Sequence, residues 1–225
     1  LCGSLASHAP SSAVIRTAAT LLPGGVRSLA QLFHQEMASV DNVARVPWTR
    51  WENLEGFGTS LIGQGAGCVA PVFGAQLFDH AAFRISTSEA AAMDPAQRAL
   101  LEKGYEALHL GRFHRSDLLG RNLGVLLGVD KCDWAVVRPR SAASSVYVMT
   151  GAANNIASGR LSYALGLQGP CVTYDTACSS ALVALHAGLR VLQLAECASV
   201  LAQGVNLNLS PATHAAFFIA GMASP

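Results

Sequence analysis

Charge is scarce in this sequence. Asp, Glu, Lys and Arg make up 13% of the 225 residues, about half the ~25% of an ordinary globular chain. With 15 basic residues against 14 acidic ones, the formal charge is +1. No field of either sign exists to hold phosphate backbones or anionic lipid, which argues against nucleic acid and membrane surfaces as principal partners. Long hydrophobic runs are lacking too. Although 51% of the residues are hydrophobic, no window reaches the roughly 18 uninterrupted apolar residues of a spanning helix, and the longest candidate, Ala215 to Ala223, is far too short. The six cysteines (Cys2, Cys68, Cys132, Cys171, Cys178 and Cys197) include no Cys-x-x-Cys pair. That spacing excludes a disulfide scaffold, a zinc knuckle and a dithiol redox motif, and fits a reducing compartment.

What is present is enough apolar material for one large domain, and too much for a disordered chain. The chain opens on Leu1 rather than Met and stops at Pro225 directly after an apolar stretch, so both ends read as cuts in a longer polypeptide. Residues 1–13, rich in Ser and Ala, read as a loose leader, and 14–225 as the folded part. From Ser141 onward only Arg160, Asp175, Arg190 and Glu196 are charged. A segment so bare cannot cover its own surface with polar groups, and should pack against further chain or a partner subunit.

Local signals place the elements. Leu22-Pro23-Gly24-Gly25 is a turn, followed by a short helix to Met37 with Ser28 as its N-cap. Six glycines between Glu55 and Gly74 mark a loop. Its Gly63-Gln-Gly65-Ala-Gly67 run lacks the flanking strand and helix of a phosphate-binding loop and reads as plain surface. Asp94-Pro95-Ala96-Gln97 starts a helix that runs to Gly111: Asp at the cap, Pro first, and Gln placed to reach back. Gly104 inside it is a local flaw of about 1 kcal/mol that the sequence does not explain. Leu123 to Val129 is a continuous apolar run suited to a strand buried on both faces. Cys171 to Tyr174 and Ser199 to Ala202 are further strands. Between these two, Ser179 to Leu194 reads as a buried helix, apolar nearly all round. Strands alternating with helices give an α/β class.

One constellation carries chemistry. Val172 to Leu182 runs from a strand through small residues into a helix, with Cys178 at the junction. This is the pattern of a nucleophile elbow, where N–H groups at a helix start favour thiolate and can hold an oxyanion. The bland alternative is strong, because most cysteines near a helix start are inert fillers. The histidines offer no partner for a proton relay. His186 lies roughly 12 Å further along the same helix at 1.5 Å per residue, and reads as a core or interface residue; His109 and His114 flank a turn.

At these residues the sequence resembles a known family. Asp175-Thr-Ala-Cys178-Ser-Ser is similar to the active-site motif of β-ketoacyl synthases, in particular the ketosynthase domains of type I polyketide synthases and fatty acid synthases. Leu22-Pro-Gly-Gly-Val-Arg-Ser28, Asp94-Pro-Ala-Gln-Arg98, Ala157 to Pro170 and Gly204-Val-Asn-Leu-Asn-Leu-Ser-Pro211 resemble further landmarks of that family, in order. Ile15 to Leu21 and His214 depart from its pattern.

The resemblance implies a thiolase-like fold of α-β-α-β-α layers, of which residues 14–225 supply the first half. It also implies decarboxylative Claisen condensation, with Cys178 as the acyl-accepting nucleophile. The two histidines, the lysine and the glycine-rich oxyanion loop that the family uses belong to the second half, beyond Pro225. Substrates would arrive on the phosphopantetheine arm of an acyl carrier protein, so no bound cofactor and no metal is expected. A homodimer is expected, with Ala153 to Tyr174 at its interface, in the cytoplasm or a plastid. Two other readings share these signals. One is a truncated, non-catalytic scaffold. The other is a thiolase or a decarboxylating relative, against which the intact Cys178 and the Asp94 to Arg98 landmark weigh.

Overall fold

The computed structural model describes residues 13–46, 68–138 and 145–222. The leader up to residue 12, Cys2 and the Gly63 to Gly67 run lie outside them. Helix α1 (Leu29–Met37) begins where Ser28 accepts a hydrogen bond from the Gln31 N–H at 3.2 Å. Strands β1 (Ala44–Arg45) and β2 (Cys68–Val69) form a small antiparallel pair, so the end of the glycine-rich stretch contributes a short strand as well as loop.

Helix α2 (Thr87–Ala92) is capped by Ser86, and α3 (Pro95–Leu110) by Asp94, whose carboxylate accepts from the Ala96 N–H at 2.7 Å. Gln97 does not reach back to this cap. Its amide instead donates to the carbonyls of Thr150 and Ala153 at 3.2 and 3.1 Å and accepts from Arg160 at 2.6 Å, so it joins elements more than fifty residues apart. At the other end Gly111 is the cap but keeps φ at −74°. Arg112 takes the left-handed conformation, at φ 64°. Short helices α4 (Arg115–Leu118), α5 (Trp134–Val137) and α6 (Val148–Ala152) connect to the longer α7 (Asn154–Leu165).

The main sheet is parallel, in the order β4 (Cys171–Tyr174), β3 (Leu123–Val129), β5 (Ser199–Val205). Every residue of β3 is buried, as its unbroken apolar run requires. Because side chains alternate along a strand, Leu123, Val125 and Leu127 face α3 and α7, where Leu101, Leu108, Leu161 and Leu165 complete the core. Leu126 and Gly128 face the opposite layer, α8 (Ser180–Gln193). The strand at Ser199 runs three residues past the expected end, to Val205.

Helix α8 is not buried all round. Its small residues meet the sheet: Ser180, Ala184 and Gly188 are buried, and a Cβ on Gly188 would touch Val200 at 3.0 Å. The leucine stripe points away, with Leu182 69% and Leu185 48% exposed. Close approach of the backbones decides which face goes down, and the leucines are left for something else to cover. The charge-poor segment therefore presents the uncovered apolar surface that its composition implied. Helix α9 (Pro211–Ile219) ends the described fold.

Candidate active site

The three parallel strands end together, and the elbow leaves the sheet there. β4 stops at Tyr174, and the chain turns through Asp175 and Thr176 into a 3-10 turn, Ala177–Ser179, that feeds α8. Cys178 sits in that turn, exposed. The residue before it, Ala177, has φ at 54°, a left-handed conformation that costs a non-glycine residue about 1–2 kcal/mol. The surroundings hold it there. The buried Ser180 hydroxyl accepts from the Thr176 N–H at 2.8 Å and donates to the Ala177 carbonyl at 2.7 Å, closing a bracket around the strained residue. Asp175 accepts from the Ala177 N–H at 3.3 Å, and the Ser179 hydroxyl bonds Thr176 twice, at 2.8 and 2.9 Å. Behind the elbow, the Thr173 hydroxyl is tied to Ser158 of α7 at 2.8 Å.

The second serine of Cys-Ser-Ser is thus a structural brace. Its position in the motif gave no hint of which serine would turn inward. Asp175, Thr176 and Ser179 shape the turn, as their small polar side chains suggest.

A second tie fixes the ends of β3 and β5. Buried Asp133 accepts from the N–H groups of Leu209 and Ser210 at 2.9 and 3.0 Å and from the Thr213 hydroxyl at 2.8 Å. It thereby anchors the segment from Gly204 to Pro211 and the start of α9. Sequence reading missed Asp133, because its partners lie some eighty residues away.

The other cysteines differ from Cys178 in setting. Cys197 is buried and donates to the Ser199 carbonyl. Cys132 donates to the Asp94 carboxylate at 3.0 Å; burial, then that hydrogen bond, push its thiol up to about 11. Burial likewise raises the carboxyl of Asp94, against the opposing pull of its hydrogen bonds. Cys171 is exposed on β4. His186 is exposed on α8 rather than in a core. Among the described residues no group of three His, Cys, Asp or Glu side chains could hold a metal ion, and no helix is long and apolar enough to cross a membrane.

A parallel sheet between helical layers, with a cysteine elbow at its carboxyl end, defines a thiolase-like domain. Within that class the chain belongs to the β-ketoacyl synthase family: the family model for the beta-ketoacyl synthase N-terminal domain matches residues 12–225. The chain is 37% identical over 212 residues to a mycocerosic acid synthase-like polyketide synthase of Mycolicibacterium smegmatis, covering 91% of this chain and 10% of that protein. It is 40% identical over 201 residues to the pikromycin polyketide synthase component PikAII of Streptomyces venezuelae, covering 87% and 5%. It therefore spans a tenth or less of these relatives. The ketosynthase from module 6 of the bacillaene synthase of Bacillus subtilis 168 superposes with a TM-score of 0.81 at 28% identity, over 93% of this chain and 35% of that one. The fold is thus that of the first part of a ketosynthase.

Proposed function

We propose that residues 14–225 form the acyl-accepting half of a ketosynthase of the polyketide type. The observation that carries this reading is the exposed Cys178, held on a braced, left-handed elbow at the carboxyl end of the sheet. The Cys178 thiolate attacks the carbonyl of an acyl thioester borne by an acyl carrier protein. A new carbon–sulfur bond forms, the carrier's sulfur leaves and takes up a proton, and the acyl group is stored on the enzyme. Splitting the reaction through a covalent intermediate is the usual benefit of a cysteine nucleophile. A malonyl-type extender then loses carbon dioxide, and the resulting carbanion attacks the stored acyl carbonyl, expelling the Cys178 thiolate and giving a 3-oxoacyl product. Groups that polarise the extender belong to the second half of such a domain. The polyketide synthases among its relatives favour a polyketide rather than a fatty acid product.

The phosphopantetheine arm belongs to the carrier, so the reaction requires no resident cofactor or metal. A homodimer fits the outer edge of β4, which among the described residues pairs only with β3 and carries the exposed Cys171 and Val172. Unpaired edges of this kind accept a second strand. The five described cysteines are all unpaired, in keeping with a cytoplasmic enzyme. The test is product formation. In the full-length protein, Cys178→Ala should abolish the 3-oxoacyl product while leaving thermal stability unchanged; product at the wild-type rate would refute the assignment.

A further inference from the structure

The parallel register of β3 and β5 sets Gly128 directly beside Gly204, and both glycines lie under the first turn of α8. A Cβ on Gly128 would stand 2.3–2.5 Å from the backbone of Ser180 and Ala181, and one on Gly204 would stand 2.7 Å from the Ala181 Cβ. Real Cβ atoms do not approach so closely. The helix start is seated on two bare stretches of strand, with main chain against Gly128 and only the Ala181 methyl between the helix and Gly204.

Ala181 is one turn along the chain from Cys178, and the intervening residues are fixed by the Ser180 bracket. Any lift of the first turn is therefore passed to the elbow. Restoring ordinary contact between two methyl carbons requires roughly 3.5–4.0 Å. A methyl at residue 204 must thus move the helix start by about 1 Å, a displacement that can lower a reaction rate about a hundredfold.

We infer that Gly128 and Gly204 are positioning residues, which act through Ala181 to set the height of Cys178 above the sheet for acyl transfer. The inference rests on Cys178 being the acyl acceptor. Gly204 is the informative one of the pair. Its added methyl meets only another methyl, whereas one on Gly128 collides with main chain and threatens folding. The geometry supplies its own compensating change, since Ala181→Gly removes the atom that a methyl at residue 204 would strike.

The test uses the full-length protein and a simple acyl thioester, with loading on the Cys178 peptide followed by mass spectrometry. Gly204→Ala should slow loading at saturating donor by roughly 10- to 100-fold, with half-saturation unchanged and a cooperative melt retained. Adding Ala181→Gly should recover most of the lost rate. A merely structural glycine would instead lower the melting temperature in step with the loading rate, whereas a positioning residue slows loading at saturating donor while the melt and the half-saturation stay as in the wild type. Wild-type loading in Gly204→Ala would overturn the inference, as would a loss that Ala181→Gly leaves in place. If the wild type itself does not load on Cys178, the nucleophile assignment fails, and the role of the seat with it.

Discussion

The side-chain amide of Gln203 occupies the space that a Cβ on Gly104 would need: the two would be 2.7 Å apart, with Leu161 Cδ2 at 2.6 Å on the same side. Gln203 is held there by donating to the Leu100 carbonyl at 3.0 Å. The helix-weakening glycine of α3 is thus the gap through which β5 sends its glutamine.

Gly104→Ala gains about 1 kcal/mol of helix propensity but forces an overpacked contact that typically costs ~1–3 kcal/mol. The single variant should be destabilised. In a Gln203→Ala background the same change should be markedly less harmful, with a coupling of at least ~0.5 kcal/mol in a denaturation double-mutant cycle. Strict additivity would contradict the packing described.

Arg160, its side chain 9% exposed, joins three elements. It pairs with Glu89 at 2.6 Å and bonds Gln97 at 2.6 Å, while its Nη2 has no hydrogen-bond partner among the described residues. Removing one partner of a buried pair costs ~3–5 kcal/mol. Because Glu89 is itself 24% exposed, Glu89→Ala should fall at or below the lower end of that range. The more open Lys103–Glu106 pair should be worth under ~1 kcal/mol. Chemical denaturation of Glu89→Ala and Glu106→Ala compares them directly.

Cys132 should be the slowest partly exposed thiol to alkylate. With its thiol pushed from an ordinary 9.0 to about 11, it holds about a hundredfold less thiolate at pH 8 than an unperturbed cysteine, since each pKa unit is a factor of ten. Asp94→Asn keeps an N-cap but removes the neighbouring charge, so labelling of Cys132 should accelerate, although burial, the larger cause, remains. The folded thiol titrates above the unfolded one. Its contribution to stability is therefore full below about pH 9 and is lost as pH rises through about 11. Peptide-resolved alkylation against pH reads the effect.

Much of this architecture was legible. The unbroken run from Leu123 to Val129, the Ser28 and Asp94 caps and the strand–turn–helix around Cys178 are all local signals, carried within a few residues. What escaped reading depends on distant partners. Gln97 follows an N-cap at capping-box spacing yet bonds Thr150, Ala153 and Arg160. A helix that reads as apolar nearly all round from Ser179 to Leu194 does not say that its small-residue face, fitted to Gly128 and Gly204, would win the sheet and leave the leucines outside. Asp133 escaped for the same reason, while Ser180 bonds the nearby Thr176 and Ala177 and escaped because a polar side chain announces a hydrogen bond but not its partner.

The leucine stripe carries its own prediction. Leu182, Leu185 and Leu189 are 37–69% exposed, and an apolar surface of this kind drives association. The 225-residue chain expressed alone should self-associate, and Leu182→Lys with Leu185→Lys should reduce that association in sedimentation. A monodisperse monomer before any substitution would show that the stripe needs no cover.

Strain at Ala177 predicts an ordered series. Glycine adopts a positive φ without penalty, so Ala177→Gly should melt at or slightly above the wild type. A β-branched residue is a severe misfit in that region, so Ala177→Val should be destabilised relative to Ala177→Gly by more than ~1–2 kcal/mol. Thermal melts of the two variants decide it.

The most direct measurement is the mass of the peptide containing Cys178 after the full-length protein is exposed to an acyl thioester at neutral pH. The account predicts an acyl adduct on Cys178, labile to hydroxylamine as a thioester is, and absent from Cys178→Ala. An acyl group found on another cysteine, or retained in full by Cys178→Ala, would contradict it.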